Sequence, residues 1–531
     1  MKRRWIALVI ALAWLAGCGG QATVPNSLVP PNATHFGQNA PPNGNVNELP
    51  EPPVVKSVNG VAKVSMQVTL SGATGFPQFV YNGLGDDAPT IRVKPGDTIV
   101  MDISDQLLPK HGDSDDINVH FHGLGSSPRA PGDDVLGTLA KPGQNLHYVV
   151  HVPKNQEPGL YWYHPHVHGE TSFQVGAGGM SGAIVVEGLE KHIPSLAKMK
   201  ERVIIVRATG VGENANPRPD DDGVDASASS MSGMNMSGDS QVAKPQVVNS
   251  EPCGSDLGLT TTLNGAYQPI ITIGRGEKQF FRVINATGHK TLKLWYGGDM
   301  EIVAIDGYAL DTWPGTPPTE TVKSIVMPVA ARAEFVVTGP SNGYASFRTL
   351  CYDSGIAGDR DPDLKLATMA APHKKQTYVR IEEPLRVGAP LPQNGYTTPL
   401  PPPAAHRTII FSEGAKRFLI DGKAFSMSAP PAIVVHVGTV EYWHIVNVTQ
   451  EIHDFHLHQA HFLVKKLDGV AIAHPYWGDS VVIPHREKDG HPGTLDVIAD
   501  FRDPIVKGTF LFHCHILDHE DAGLMAKIQA I

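Results

Sequence analysis

Apolar and polar residues alternate with a period of two along much of this chain, the pattern of half-buried strands. Three segments show it in one form: 90–100, 271–283 and 433–443. Each reads as a strand, a turn containing glycine, and a second strand, which is the grammar of antiparallel sheet. Each is followed by another alternating stretch, at 118–123, 291–296 and 454–462. Repeats this long are not solenoid units, whose period is about 20 to 50 residues. They read as three copies of one β-sandwich, near 54–190, 200–385 and 400–531. The expected fold class is all-β.

Length agrees with this division. The 531 residues exceed one compact core and suit about three domains at ~150 residues each. Abundant Gly (54) and Pro (44) favour short strands and tight turns over long helices. Hydrophobic residues at 41% and charged residues at 18% belong to a globular chain. The net charge is −10, and no basic run suggests a nucleic acid partner.

The N-terminus reads as a processing segment. Lys2, Arg3 and Arg4 precede an apolar run, Ile6 to Leu15, that is too short to span a membrane. It ends in Leu15-Ala16-Gly17-Cys18, which resembles a bacterial lipoprotein signal. The resemblance implies a signal peptide at 1–17, a lipid on Cys18 and an exported protein tethered to the cell envelope. The membrane is then met only through that anchor. The bland alternative is an ordinary signal peptide with an incidental cysteine. Residues 18–53, rich in Pro, Asn and Gly, read as a flexible stalk. Of the other cysteines, Cys253 and Cys351 are either a disulfide, as an oxidising compartment allows, or two buried thiols.

The three copies differ in their second stretches. The first carries His120 and His122, and the third carries His456 and His458. The middle copy has Lys293 and Trp295 in the comparable place. It has the scaffold without these ligands and reads as a spacer and a wall. Two further groups, His164-Pro-His166 and His513-Cys514-His515, complete four His-x-His pairs. On a strand, residues i and i+2 point the same way, so each pair aims two imidazoles at one place. One such pair is usually just a polar face; four in the outer copies are not. Imidazole suits several metals, but Cys514 narrows the choice. Its sulfur points away from its two neighbours, where it can join His453 and His519 in a His2Cys set, the ligands of blue-copper electron-transfer sites.

In combination these motifs resemble those of three-domain multicopper oxidases, the laccase and copper-efflux-oxidase superfamily. The resemblance spans roughly 54–531. It implies three cupredoxin-like Greek-key β-sandwiches holding four copper ions: one type 1, one type 2 and two type 3. His453, Cys514 and His519 match the type 1 site. His120 and His456 match type 2. His122, His164, His166, His458, His513 and His515 match the type 3 pair. Glu520 stands where relatives have an acid that helps supply protons. Asp133 and Asp134 follow the first motif at about the distance of an acid serving type 2, and Asp133 is preferred; the bland alternative is a polar turn. The implied reaction takes single electrons from a donor and reduces O2 to water in a monomer.

Two departures stand out. Leu524, ten residues after Cys514, occupies the place of an axial Met in many relatives, and Met525 is adjacent. Loss of a weak donor raises the copper potential. His168 adds a third alternating histidine after His166, either supporting the ligands or exposed. The donor is less legible. An Asp- and Met-rich segment at 220–240, with Met231, Met234 and Met236, resembles those of periplasmic copper-resistance oxidases and points to Cu(I); it also reads as a plain surface loop. The other donor class is phenols and aromatic amines, with Tyr476 and Trp477 read either as walls near His453 or His519 or as plain core or turn residues. A reading from another class is an envelope lipoprotein that sequesters copper without turnover.

Overall fold

The computed structural model describes residues 48–531 apart from 73, 86–87, 108–114, 211–258, 359–360, 373–398 and 415–416. The signal peptide, most of the stalk and the segment 220–240 lie outside the described residues. So does Cys253; Cys351 is disulfide-bonded. No helix among the described residues is long and apolar enough to cross a membrane.

Six sheets form three sandwiches, one in each part of the chain. In each, one sheet repeats the same four-strand order, which in the first sandwich starts at its second strand, Thr90–Val93, after the added edge strand Val54–Lys56. The first reads Val54–Lys56, Thr90–Val93, Gly182–Val186, Gly159–His164, His120–His122. The middle one reads Ile270–Thr272, Leu364–Ala370, Tyr344–Thr349, Leu292–Trp295, Ile325–Met327. The last reads Ile433–Val435, Met525–Ala530, Gly508–Cys514, His453–Leu457, Ser480–Ile483. Thus Leu292–Trp295 occupies the place that His120–His122 and His453–Leu457 occupy in the outer copies. The chain is all-β with three sandwiches.

One local expectation needs correction. The two strands flanking each repeated glycine turn do not pair with one another. Thr90–Val93 and Thr98–Asp105 lie in opposite sheets, and Thr98–Asp105 pairs in parallel with Val61–Leu70. The same switch occurs at Lys278–Asn285 and Thr439–Asn447, which pair in parallel with Lys200–Gly210 and Ala405–Glu413. The turns carry left-handed glycines, Gly96, Gly276 and Gly438 (φ +92°, +69° and +90°). Such a conformation costs glycine little and lets the chain cross between layers. Alternation reports which face is buried, not which strand is the neighbour.

Each sandwich has its own apolar centre. A further buried cluster joins all three. Leu160, Trp162 and Val185 from the first sandwich meet Ile205, Ile284 and Ala330 from the second and Leu517 from the third. Charge pairing reinforces that junction: Arg92 and Arg282 both grip Glu201, and Arg282 also grips buried Glu334. Glu334 Oε2 accepts the Leu160 backbone N–H at 2.9 Å. The strand bearing His164 is thereby anchored to the middle sandwich.

Trp443 is fully buried at the centre of the third sandwich, against Phe455, Phe501 and Phe512. Its indole N–H donates to Glu441 at 2.9 Å. Trp443→Ala leaves a cavity at the centre of the core, and should cost about 3–5 kcal/mol. Denaturant unfolding of the copper-free protein, followed by third-sandwich probes, measures it.

Candidate metal centre

The pairing of Gly508–Cys514 with His453–Leu457 sets His456 opposite His513 and Phe455 opposite Cys514. Side chains alternate along both strands. His456 and His513 therefore face one side, and the Cys514 sulfur faces the other. Cys514 Sγ lies 3.6 Å from His453 Nδ1 and 3.7 Å from His519 Nδ1, and those two nitrogens are 3.1 Å apart. His519 comes from the short helix Leu517–Asp521 directly after the strand. Thr449 Oγ1 sits 3.0 Å from His453 Nε2, and its own proton is committed to Asn447 Oδ1 or the Glu451 carbonyl. It accepts the Nε2 proton, which leaves the Nδ1 lone pair turned toward the sulfur. Burial pushes the Cys514 thiol well up and holds His519 down to about 4. A neutral imidazole is ready to ligate, whereas the thiol gives up its proton only to a metal.

Leu524 is fully buried in the same apolar cluster as Cys514, and its carbonyl accepts the Cys514 N–H at 3.0 Å. Met525 turns to a separate cluster with Phe425 and Leu511. Leucine, not methionine, thus shares the apolar cluster of Cys514. Phe418 covers His519 with ring centroids 4.2 Å apart. Glu451 Oε2 lies 3.5 Å from His519 Nε2 at the outer edge of this site. Tyr476 and Trp477 are elsewhere, contrary to the expectation for a donor wall. Trp477 is buried with Tyr308 and Leu463, and Tyr476 lies near Asp306 of the middle sandwich. Both lie on the strand Val470–Gly478, whose pairing with His461–Leu467 sets Tyr476 opposite Val464 and Trp477 opposite Leu463.

On the other side of the strand the four His-x-His pairs converge. Ring centroids within the pairs are 5.4, 6.0, 5.0 and 5.2 Å apart. One histidine of each of three pairs lies just past a strand end: His166, His458 and His515. Between pairs, His120 stacks on His458 and His122 on His456, each at 3.9 Å. Nitrogens of His120, His122 and His164 lie within 4.8 Å of one another, as do those of His166, His458 and His513. Burial, joined by the mutual repulsion of neighbouring rings, holds His122, His164, His456, His458 and His515 well below the usual imidazole range.

The outward nitrogens are tied down. His120 Nδ1 is held by Asp133, His164 Nδ1 by the Pro165 carbonyl, His456 Nδ1 by the Asp479 carbonyl and His513 Nδ1 by the Cys514 carbonyl. The opposite nitrogens of His120, His164 and His456 are buried without a hydrogen bond, as are both of His515. Buried imidazole lone pairs with no donor suit metal ions and little else. The donor set therefore fits copper: neutral imidazoles in a closed cluster, and a His2Cys site behind them.

The acids sort by position. Asp133 reaches His120 Nδ1 at 3.0 Å and accepts from Phe121 N and Gln459 Nε2. Asp134 caps a local turn at Gly137 N. Glu520 is fully buried, 3.5 Å from His166 Nε2 and 3.2 Å from His513 Nδ1, and accepts from Thr171 Oγ1. Burial alone would raise its carboxyl, but the facing histidines outweigh that and hold it below the usual range. His168 packs edge-on to Phe425 instead of joining the cluster. Asp479 is the residue that sequence reasoning missed. It sits 3.1 Å from His122 Nε2, and no motif surrounds it.

Two substitutions test the mononuclear side. Cys514→Ser should abolish the blue absorption of copper-loaded protein while copper stays on the histidine cluster, read by absorbance and copper per chain. Leu524→Met should lower the potential of that site in a redox titration, since a thioether donates where leucine cannot. An unchanged potential would place residue 524 away from the metal.

Two family models, both described as multicopper oxidase, match residues 66–191 and 397–530. A multicopper oxidase of Staphylococcus aureus is 24% identical over 85% of this chain and 83% of its own length. A laccase of Bacillus subtilis is 24% identical over 90% of this chain and 97% of its own. Among solved structures, a multicopper oxidase from Campylobacter jejuni superposes with a TM-score of 0.65 at 21% identity, covering 92% of this chain and 97% of that one. Every histidine pair and the Cys514 site fall inside the matched segments, and the chain belongs to the multicopper oxidase family.

Proposed function

We propose that this chain is an envelope-anchored oxidase with four coppers, one at Cys514 and three among the paired histidines. The carrying observation is the strand segment 513–515. Its sulfur belongs to the His2Cys site and its two imidazoles to the cluster. Copper bound at these sites would supply one-electron transfer from the donor and the reduction of O2 to water.

The protein's own groups do the rest. The backbone from Cys514 to His513 and His515 is the short covalent link between the sites. His120 and His456 suit the type 2 ion, each with Nε2 turned inward. The other six paired histidines suit the type 3 ions. Glu520, between His166 and His513, sets an ionised carboxylate beside the cluster, where it can accept a proton and pass it on. Asp133 fixes the His120 ring and links it through Gln459 toward the surface of the first and third sandwiches. Burial of the cluster histidines excludes bulk water from the place where copper would be held.

The donor delivers its electron at the His519 edge. Leu524 supports a high potential and so a phenol or aromatic amine. Glu451 beside His519 suits a donor that sheds a proton or carries positive charge. Laccase is the description of the Bacillus subtilis relative and metallo-oxidase that of the Campylobacter jejuni structure, so Cu(I) stands as the second donor class. Export and lipidation at Cys18 rest on the N-terminal sequence.

Rates of O2 uptake with a substituted phenol, Fe(II) and Cu(I) should be compared before and after deletion of 220–240. Phenol turnover should survive the deletion. Cu(I) turnover that is equally unaffected removes the Met-rich segment as a copper port. Cys18→Ser should move the protein from the membrane fraction to the soluble one; no change would show that the cysteine carries no anchor.

A further inference from the structure

The middle sandwich supplies no ligand, yet it sends two buried charged residues to the cluster. Arg332 is fully buried. Its guanidinium donates to both carboxylate oxygens of Asp479, at 2.6 and 2.5 Å. It also donates to the Leu160 carbonyl of the first sandwich and the Asp306 carbonyl of its own. Asp306 sits at φ +49° in an Asp-Gly turn between Met300–Ile305 and Tyr308–Ala309. Its carboxylate accepts Arg332 N at 2.9 Å and the backbone N–H groups of Asp479 and Ser480 at 3.2 Å. Asp479 is thus held at both its side chain and its backbone.

What Asp479 does with that placement concerns two ligands. Its Oδ1 lies 3.1 Å from His122 Nε2, and its carbonyl lies 2.8 Å from His456 Nδ1. A neutral imidazole carries one N–H and one lone pair. An oxygen acceptor at Nε2 puts the proton there and turns Nδ1 of His122 to the cluster, where it is buried without a hydrogen bond. His120, His164 and His456 present the opposite nitrogen. His122 therefore depends on an acceptor on its Nε2 side. The approach is close: a Cβ on Gly123 would stand 2.3 Å from Arg332 Nη2 and 2.8 Å from Asp479 Oδ2. This accounts for the glycine that ends His120-Phe-His122-Gly.

We propose that Arg332, with Asp306, is a positioning residue of the oxygen-reducing cluster: it holds Asp479 so that His122 and His456 present the correct nitrogens to copper. The middle sandwich is then a working part of the site and more than a spacer. The inference rests on the copper assignment above.

Two measurements test it. The first replaces both members of the forked pair, Arg332→Met with Asp479→Leu, so that neither is left buried without the other. Copper binding at the cluster should weaken about 10- to 100-fold, the usual effect of removing a partner behind a ligand. Copper per chain should fall while the blue absorption at Cys514 persists. Arg332→Lys, which keeps the charge without the fork, should retain most of the cluster copper. A double variant with full copper content and an unaltered electron spin resonance spectrum of the cluster would reduce the pair to a brace between domains. If the wild type itself takes up no copper, the functional reading fails and not this inference. The second measurement reads the wild type itself. Nitrogen-15 imidazole spectra of the copper-free wild type, with His122 assigned by its loss in His122→Gln, should show the proton on Nε2. A proton on Nδ1 overturns the proposal.

Discussion

The pairing of Gly508–Cys514 with His453–Leu457 governs the rest of the site. A strand has two faces, and this one uses both. The sulfur of Cys514 joins His453 and His519 on one face, while His513 and His515 enter the cluster on the other. Any slip of one residue in this register would exchange the two faces and destroy both sites together. Aromatic packing around Trp443 and Phe455 pins that register from within the core.

The cluster is costly without its metal. Several buried imidazole nitrogens lack a hydrogen bond, and each such group costs about 1–3 kcal/mol. Protonation cannot relieve them, because burial disfavours the charged rings. Metal ligation is the remaining way to satisfy the lone pairs, so copper binding and the stability of the outer sandwiches are linked. The ties behind the rings, from Asp133, Asp479 and backbone carbonyls, orient the histidines before copper arrives.

Because the ligands come from two sandwiches far apart in the chain, their mutual position is a tertiary matter. The middle sandwich closes the arrangement. Its apolar residues share a cluster with Trp162 and Leu517, and Glu334 and Arg332 both bind the backbone of Leu160. Trp162 in turn stacks on His164 with centroids 4.1 Å apart. On the donor side the same economy holds: Leu524, Phe418 and Thr449 shape one copper's surroundings with an apolar wall, a ring and a hydroxyl.

Much of this is legible in the residues themselves. Period-two alternation is local, so the all-β class, the threefold repeat and the direction of each His-x-His pair follow from the order of residues alone. So does the opposed direction of Cys514. Alternation does not say that the glycine turns switch sheets, since partner choice depends on distant strands. It does not separate Asp133 from Asp134, neighbours of which one meets His120 and the other closes a turn. Nor does it keep Trp477 away from the donor edge. Asp479 and Arg332 lie 147 positions apart and carry no motif, yet they form one buried ion pair behind His122. Sequence determined which ligands exist and which way each pair points, because those follow from strand geometry. Tertiary structure alone decided which nitrogen each ring offers, because that depends on the acceptor another domain places behind it.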